Sequence, residues 1–162
     1  MGKIFKSVQE LKSYTDSIRK DLVVTSGGFD PMHVGHLRCL QGSAGVVDVN
    51  PNTKLAVIVN DDGFLLRKKG YAFMPIEERL EIIAGVASVD YVVPWDDGSQ
   101  TVVGAIEVLQ PVIFTKGGDR DKAENVPEFD LCKRIGCDVY FGVGGGKIQS
   151  SSTLVSNIAK NT

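Results

Sequence analysis

The chain has 162 residues, which is long enough for one domain with a substantial buried core. Its formal net charge of −2 argues against a nucleic-acid-binding protein, because such proteins normally carry a clustered basic face. The three cysteines lack the paired spacing of metal ligands and are typical of free thiols in a reducing compartment. No apolar run is long enough to span a membrane and the N-terminus lacks a signal-peptide pattern, so we expect a cytoplasmic protein without a membrane partner.

The first half of the chain alternates between predicted helices and buried strands. Residues 7–20 carry apolar side chains at helical spacing, and "DLVVTSGG" (21–28) is the continuous apolar run of a buried parallel strand. A helix is predicted over 34–47, fading where glycines recur, and "KLAVIV" (54–59) follows as a second strand. Residues 64–74 show no period and include three consecutive basic residues, so we expect a loop there.

The second half continues the alternation, beginning with a helix over 75–86 that has proline at its first position and acids in its first turn. Further elements are strands 89–95, 112–118 and 138–146, and helices 101–110, 127–136 and 151–160. Five strands alternating with helices predict an α/β fold, a Rossmann-like three-layer sandwich with a five-stranded, mostly parallel sheet. We expect a single domain over 1–162, with an N-terminal helix in 1–20 and a core over 22–160.

All the chemically suggestive segments fall where predicted strands end. In parallel α/β sheets, ligands bind outside the carboxyl ends of the strands. That edge would collect residues 27–36, 60–62, 94–97, 116–119 and 142–152. The sequence therefore predicts a ligand site at this edge.

The segment "GGFDPMHVGH" (27–36) contains both histidines of the chain. Its two leading glycines free the turn after the first strand, and the helix that follows would direct N–H groups at that turn. His33 and His36 add donors whose pKa a bound polyphosphate would raise, and Gly35 leaves room for a ligand. These features favour phosphate binding.

More cations and hydroxyls are predicted at the same edge. Residues 150–153 form a second hydroxyl-rich helix start behind Lys147, and Lys68, Lys69 and Lys116 add positive charge. The dinucleotide fingerprint is absent after the first strand, and "GVGGGKI" lacks the spacing and hydroxyl of a Walker loop. Neither an oxidoreductase nor a P-loop enzyme is supported.

Several of these segments resemble one known superfamily. "GGFDPMHVGH" is similar to the H-x-G-H signature of the nucleotidyltransferases that include the cytidylyltransferases. Further landmarks follow in the same order: "VNDD", "RKKG", "EERLEIIAGVASVDYVV", "KGGD" and "SSST". Within that superfamily the chain resembles the adenylyltransferase domain of ADP-heptose synthase and glycerol-3-phosphate cytidylyltransferase, over residues 22–160.

The resemblance implies transfer of AMP or CMP from ATP or CTP to a small phosphorylated acceptor, a sugar phosphate or polyol phosphate, with release of pyrophosphate. It implies four catalytic residues: His33, His36, Lys69 (or Lys68) in the predicted loop, and Arg79. The nucleotide-binding set would be Gly27, Gly28, Phe29, Asp30, Gly35, Lys116, Gly117, Gly118, Asp119, Ser151, Ser152 and Thr153. Asp61, Lys68 and Arg120 are expected near the acceptor. Mg²⁺ would be bound through the nucleotide phosphates, and since members of the superfamily often form homodimers, a homodimer is one expectation.

Other interpretations of single residues stay open at this point. The two histidines could be a capping pair on a loop, or could join Asp30 in an iron or zinc site. Asp30 could instead order its own turn, and Arg79 could pair with a glutamate on a helix surface. Arg120 stands where the heptose enzymes have an aromatic residue, and "YAFMP" where they have an arginine, which leaves the acceptor undecided.

Two other functions compete with the enzyme. One is a non-catalytic nucleotide-binding regulator that keeps the pocket, which the presence of both histidines, the basic segment and the hydroxyl cap argues against. The other is a fragment of a class I aminoacyl-tRNA synthetase, which shares a similar H-x-G-H loop. The chain has no room for a tRNA-binding domain and no basic excess, which argues against that function.

Overall fold

The computed structural model describes residues 1–118 and 126–161, which form six parallel strands and seven helices. The strands are β1 (Lys3–Ile4), β2 (Asp21–Gly27), β3 (Thr53–Asn60), β4 (Tyr91–Trp95), β5 (Ile113–Gly117) and β6 (Asp138–Val143). The helices are α1 (Val8–Ser17), α2 (Val34–Asp48), α3 (Asp62–Lys69), α4 (Ile76–Ala84), α5 (Val103–Leu109), α6 (Phe129–Ile135) and α7 (Ser151–Lys160). Within those ranges, no helix combines the length and apolar character that crossing a membrane requires.

The six strands form one sheet in the order β1-β4-β3-β2-β5-β6, and every neighbouring pair is parallel. From β2 the chain builds outward through β3 to one side and later through β5 to the other. This reversal at β2 is the switch point at which ligands bind in open α/β sheets. The α/β prediction is confirmed, but the strand count of five was wrong, because the two-residue β1 is too short to show any period.

Alternate residues of the central strands face opposite sides of the sheet, as the pleat requires. On one face, Val24 and Ile58 pack with α1, α5 and α6; on the other, Val23 and Val57 pack with α2 and α4. The sheet is therefore covered on both faces, which is the three-layer arrangement expected.

Helix α3 occupies residues for which a loop was expected. Asp61 caps it by accepting the Asp62 N–H, and Gly70 ends it at a φ of +86°. Phe64 and Leu65 are its buried residues. Two adjacent apolar residues give no 3.6-residue period, so periodicity missed this helix although its cap and its terminal glycine are regular signals.

Helix α2 runs through its glycines to Asp48 rather than fading at them. A Cβ at Gly42 would lie 2.8 Å from Val143 Cγ1 and 3.2 Å from the backbone nitrogen of Gly144. Glycine thus lets the helix lie directly against the loop that follows β6, even though glycine costs about 1 kcal/mol in a helix interior.

Candidate functional site

A crevice of about 480 Å³ opens at the carboxyl ends of β2, β3 and β5. Its size is in the range of small-molecule sites. One side of it is lined by the end of β2 and the turn after it, the start of α2, the β6–α7 loop and the start of α7: Gly27, Gly28, Phe29, His33, Gly35, His36, Gly144, Gly145, Gly146, Lys147, Ser150 and Ser151. Lys116, Gly117 and Gly118 line it at the end of β5. Residues from the predicted segments 27–36, 60–62, 116–119 and 142–152 therefore meet at the crevice, whereas none from 94–97 lines it.

The two histidines form a stacked pair at the start of α2. Their ring centroids are 3.8 Å apart, with an angle of 22° between the ring planes. His33 Nδ1 accepts the Gly35 N–H at 3.1 Å, and His36 Nδ1 accepts the His33 N–H at 3.2 Å. Because each Nδ1 is an acceptor, the neutral rings carry their proton on Nε2. The pair therefore caps the helix through Nδ1 and presents Nε2–H as its donor.

Both imidazoles are electrically neutral at pH 7 in the free protein. Burial lowers the pKa of His36 to about 4, with further contributions from His33 and Lys69. Burial, and the charge of Lys147, also lower the pKa of His33. A polyanion beside the rings would favour their protonated forms and would therefore raise both pKa values.

Two residues of this motif serve the packing of the pair itself. Gly35 lines the crevice, and a Cβ there would lie 2.9 Å from His33 Cε1, so the glycine also leaves room for the neighbouring ring. Phe29, at a φ of +52°, is 5% exposed, and its ring meets His36 edge-on at 5.1 Å between centroids. The glycine and the aromatic residue together fix the orientation of the histidines.

Lys69 lies at the end of a helix rather than on a loop, and its ammonium group has several partners. It ends α3, and its Nζ lies 3.0 Å from the Asp30 carbonyl oxygen, 3.3 Å from Asp30 Oδ2 and over the Tyr71 ring. Lys68 lines both the crevice and a smaller adjoining recess, which Lys69 and Ser152 also line. Both lysines thus line the same recess as His36, and they lie on a helix rather than on the expected loop.

Asp30 is a buried anchor. Its side chain is 1% exposed and accepts the N–H groups of Phe73 and Met74 at 2.6 and 2.7 Å, besides facing Lys69. The Asp30 carboxylate is therefore occupied by these three groups and is not free to complete an iron or zinc site with the histidines. The described residues contain no cluster of three or more histidine, cysteine, aspartate or glutamate side chains able to hold a metal ion.

Arg79 does not face the crevice, which corrects its expected contact with a substrate phosphate. Its side chain is fully buried and donates to the carbonyl oxygens of Met74, Gly28 and Asn60 and to the Asp62 carboxylate. The alternative surface pair with Glu78 or Glu81 is wrong for the same reason. Arg79 instead joins four segments that surround the site.

The remaining expected residues divide between the site and its surroundings. Ser150 caps α7, and Ser151 Oγ donates to the Pro31 carbonyl at 2.7 Å, which joins this helix start to the histidine turn. Thr153 is exposed and lines neither the crevice nor the recess, and Asp61 is occupied by capping α3. Asp119 and Arg120 lie outside the described residues.

Sequence reasoning missed several residues that line the crevice. Asn60 ends β3 and was named only as part of a segment, and Glu128 precedes α6 with no local signal of function. Gln100 and Cys39 also line the crevice. Only the tertiary fold brings these residues to the site.

The fold and its crevice define an α/β protein of the class that binds ligands at the switch point of a parallel sheet. Residues 24–157 match the family described as cytidylyltransferase-like, and the chain belongs to that family. The resemblance inferred from the H-x-G-H motif and its accompanying landmarks is thereby confirmed.

Curated relatives include bifunctional HldE proteins. The one from Hahella chejuensis is 33% identical over 143 residues, covering 85% of this chain and 28% of the relative. The one from Pseudomonas putida is 27% identical over 170 residues, covering 99% of this chain and 32% of the relative. The chain thus spans about a third or less of the length of these relatives.

Two solved structures share the fold. A lipopolysaccharide core biosynthesis protein from Thermoplasma volcanium aligns with a TM-score of 0.58 and 22% identity, covering 80% of this chain and 97% of its own. A macrolide-efflux protein from Streptococcus pneumoniae aligns with a TM-score of 0.59 and 15% identity, covering 94% and 53%. At these identities the two structures support the fold alone.

Proposed function

We propose that the protein is a nucleotidyltransferase that transfers AMP or CMP from ATP or CTP to a small phosphorylated acceptor, a sugar phosphate or polyol phosphate, and releases pyrophosphate. The observation that carries this proposal is the stacked histidine pair, anchored through Nδ1 with Nε2–H as its donors, in a crevice that Lys147 and the start of α7 also line. Membership of the cytidylyltransferase-like family supports it.

The reaction suits a site without a general base. A phosphate monoester has a second pKa near 6, so the acceptor is already a nucleophile at pH 7. Its oxygen would bond to the α-phosphorus while the bond from that phosphorus to the oxygen bridging to the β-phosphate breaks, and pyrophosphate leaves with that electron pair. Catalysis then depends on alignment and on neutralising the developing charge.

The protein's donors match that requirement. The imidazole Nε2–H groups would donate to phosphate oxygens of the nucleotide, and Lys147 would add positive charge from the β6–α7 loop. Since both rings are neutral in the free protein, each can donate through Nε2–H while its Nδ1 keeps accepting the N–H group that caps the helix. Donors whose orientation is already fixed cost little reorganisation during the reaction.

We also propose that Mg²⁺ enters with the nucleotide, bound through phosphate oxygens. The described side chains at the crevice are mainly imidazoles, ammonium groups and hydroxyls rather than clustered carboxylates, which suits a metal carried by the substrate. When bound, Mg²⁺ would neutralise phosphate charge and orient the triphosphate.

The first test measures nucleotide binding and turnover separately. Thermal shift with ATP, CTP, GTP and UTP, each with Mg²⁺, should single out the donor, since a ligand at 100 times its Kd adds about 2.7 kcal/mol to stability. Pyrophosphate release is then assayed with that nucleotide and a panel of sugar and polyol phosphates. Stabilisation without release from any acceptor would favour a non-catalytic regulator instead.

The His36→Asn variant tests the role of the pair. Asparagine Oδ1 can replace Nδ1 as acceptor of the His33 N–H, so the helix cap survives while the Nε2–H donor is lost. We expect kcat to fall by about 10²–10³-fold, the usual effect of removing one donor to a developing anion. Unchanged turnover would remove His36 from the mechanism.

A further inference from the structure

The recess beside the crevice has a volume of about 360 Å³ and is rich in hydrogen-bond donors. Its polar lining includes one histidine, two lysines and three serines: His36, Lys68, Lys69, Ser150, Ser151 and Ser152. Ammonium groups, hydroxyls and a neutral imidazole all donate, so this lining favours an anion such as a phosphate group. Asp30 also borders the recess, but its side chain is 1% exposed and both of its carboxylate oxygens accept backbone N–H groups.

Two groups hold the Lys69 ammonium beside this recess. Lys69 Nζ donates to the Asp30 carbonyl oxygen at 3.0 Å and lies 3.3 Å from Asp30 Oδ2. The same ammonium lies over the Tyr71 ring, 4.6 Å from the ring centroid. The Lys69 side chain is 17% exposed, so it is open to a ligand in the recess, whereas the Asp30 side chain is not.

The local sequence brings both holding groups to the lysine. Gly70 ends α3 at a φ of +86°, and this left-handed residue turns the chain so that Tyr71 packs against the lysine two positions before it. Asp30 accepts the N–H groups of Phe73 and Met74 at 2.6 and 2.7 Å. The same carboxylate therefore holds the lysine and anchors the segment that carries the ring.

A lysine held in this way differs from an ordinary surface lysine. A free lysine side chain loses conformational entropy when a ligand fixes it. The contacts with Asp30 and Tyr71 already fix Lys69, so less entropy is lost when a phosphate binds. The alternative is a structural role, in which Lys69 only neutralises the buried Asp30 carboxylate.

We propose that Asp30 and Tyr71 are positioning residues, which hold the Lys69 ammonium where it binds a phosphate group of a substrate in the recess. This inference rests on the proposed function, which supplies two sources of that phosphate, the nucleotide and the acceptor. Neither positioning residue needs to touch the substrate, because each acts through Lys69. The effect of changing either one should therefore disappear when the ammonium is absent.

Double-mutant cycles test this dependence. Lys69→Gln removes the ammonium, Asp30→Asn removes the carboxylate charge, and Tyr71→Leu removes the ring. The last two are made alone and together with Lys69→Gln, and kcat and KM for pyrophosphate release are measured for each protein. Calorimetry gives the Kd values of ATP, CTP, glycerol 3-phosphate and glucose 1-phosphate. Tyr71→Phe, which keeps the ring, and Asp16→Asn, which breaks an ion pair with Lys12 on α1, are the controls and should behave as wild type.

We expect Lys69→Gln to lower kcat/KM by about 10²-fold, the usual effect of removing one donor to a developing anion. While Lys69 is present, Asp30→Asn should lower kcat/KM by about tenfold or more, and Tyr71→Leu by about three- to fivefold. Both factors should shrink to about one in the Lys69→Gln background. A change in the KM or Kd of the nucleotide assigns the phosphate to the nucleotide, and a change confined to the sugar or polyol phosphate assigns it to the acceptor.

The proposal is overturned if Asp30→Asn and Tyr71→Leu cost as much activity in the Lys69→Gln background as in the wild type, because their role is then structural. Wild-type activity of Lys69→Gln also overturns it. If Asp30→Asn does not fold, the comparison of Tyr71→Leu with Tyr71→Phe decides.

Failure of the proposed function is a separate result, namely binding of a nucleotide by the wild type with no pyrophosphate release. In that case the same cycles are evaluated on the Kd of the bound nucleotide, and additive effects overturn the positioning role. A wild type that binds none of the four probes overturns both proposals.

Discussion

At the scale of residues, two buried charged side chains hold the histidine turn in position. Asp30 accepts the N–H groups of Phe73 and Met74, and Arg79 donates to the carbonyl oxygens of Met74 and Gly28. Both contacts join the turn after β2 to the segment between α3 and α4. Neither side chain needs to touch a substrate to be essential for the geometry of the site.

We expect Arg79→Met to lower the free energy of unfolding by about 3–5 kcal/mol, because three buried carbonyl groups lose their donor. Urea unfolding monitored by circular dichroism measures this loss. Arg67→Met is the control, since that guanidinium pairs with Asp96 at the surface, where ion pairs contribute little. Equal midpoints for both variants would show that the Arg79 network is not stabilising.

At the scale of elements, the sequence predicted those strands and helices whose apolar residues form a continuous run or follow a regular spacing. The strands β2 to β6 and the helices around them carry continuous apolar runs or regular apolar spacing, and their order predicted the parallel sheet. Helix α3 and strand β1 were missed because α3 buries only two adjacent residues and β1 has only two. Strand β1 is stabilised by its pairing with the distant strand β4, which no local pattern encodes, whereas α3 has local signals in its cap and its terminal glycine.

The β6–α7 loop shows how closely two elements approach at the crevice. Gly144 has a φ of +87°, and a Cβ there would lie 2.6 Å from backbone atoms of Arg38 and Cys39 in α2. Gly145 has a similar φ of +96°, but a Cβ there would have nothing within 4 Å. Substitutions at these two glycines therefore distinguish the cost of backbone strain from the cost of steric overlap.

We expect Gly145→Ala to cost about 1–2 kcal/mol through its left-handed backbone alone. Gly144→Ala should cost about 2 kcal/mol more, because the added methyl group overlaps backbone that cannot rotate away. Chemical unfolding of both variants measures the difference. Equal losses would mean that α2 and the loop separate without cost, and the close packing of the two elements would then have no energetic importance.

At the scale of the whole molecule, the position of the site was more predictable than the roles of its residues. Parallel topology brings the ends of β2, β3 and β5 to one edge whatever their side chains are, so the crevice could be placed from element order. The roles of Asp30 and Arg79 could not, since their partners at residues 73 and 28 are 43 and 51 positions away in the chain. Asn60 and Glu128 both line the crevice, although no motif links them in the sequence.

The stability of the whole protein should depend on pH through the histidine pair. In the folded state the pKa of His36 is lowered to about 4, below its ordinary value of 6.5, so between these values the unfolded chain binds more protons than the folded one. The contribution of His36 to the free energy of unfolding is therefore fully present above pH 6.5 and is lost as the pH drops towards 4. His33 acts in the same direction, since its pKa is also lowered.

Carboxylates also contribute to such a profile, so the measurement compares the wild type with His36→Asn by urea unfolding from pH 7 to pH 4. We expect the wild type to lose up to about 3 kcal/mol more than the variant across this range, because each pKa unit corresponds to about 1.4 kcal/mol. Parallel profiles would show that His36 does not resist protonation in the folded state. A stabilising nucleotide should flatten the wild-type profile, because phosphate charge beside the rings raises their pKa values towards that of the unfolded chain.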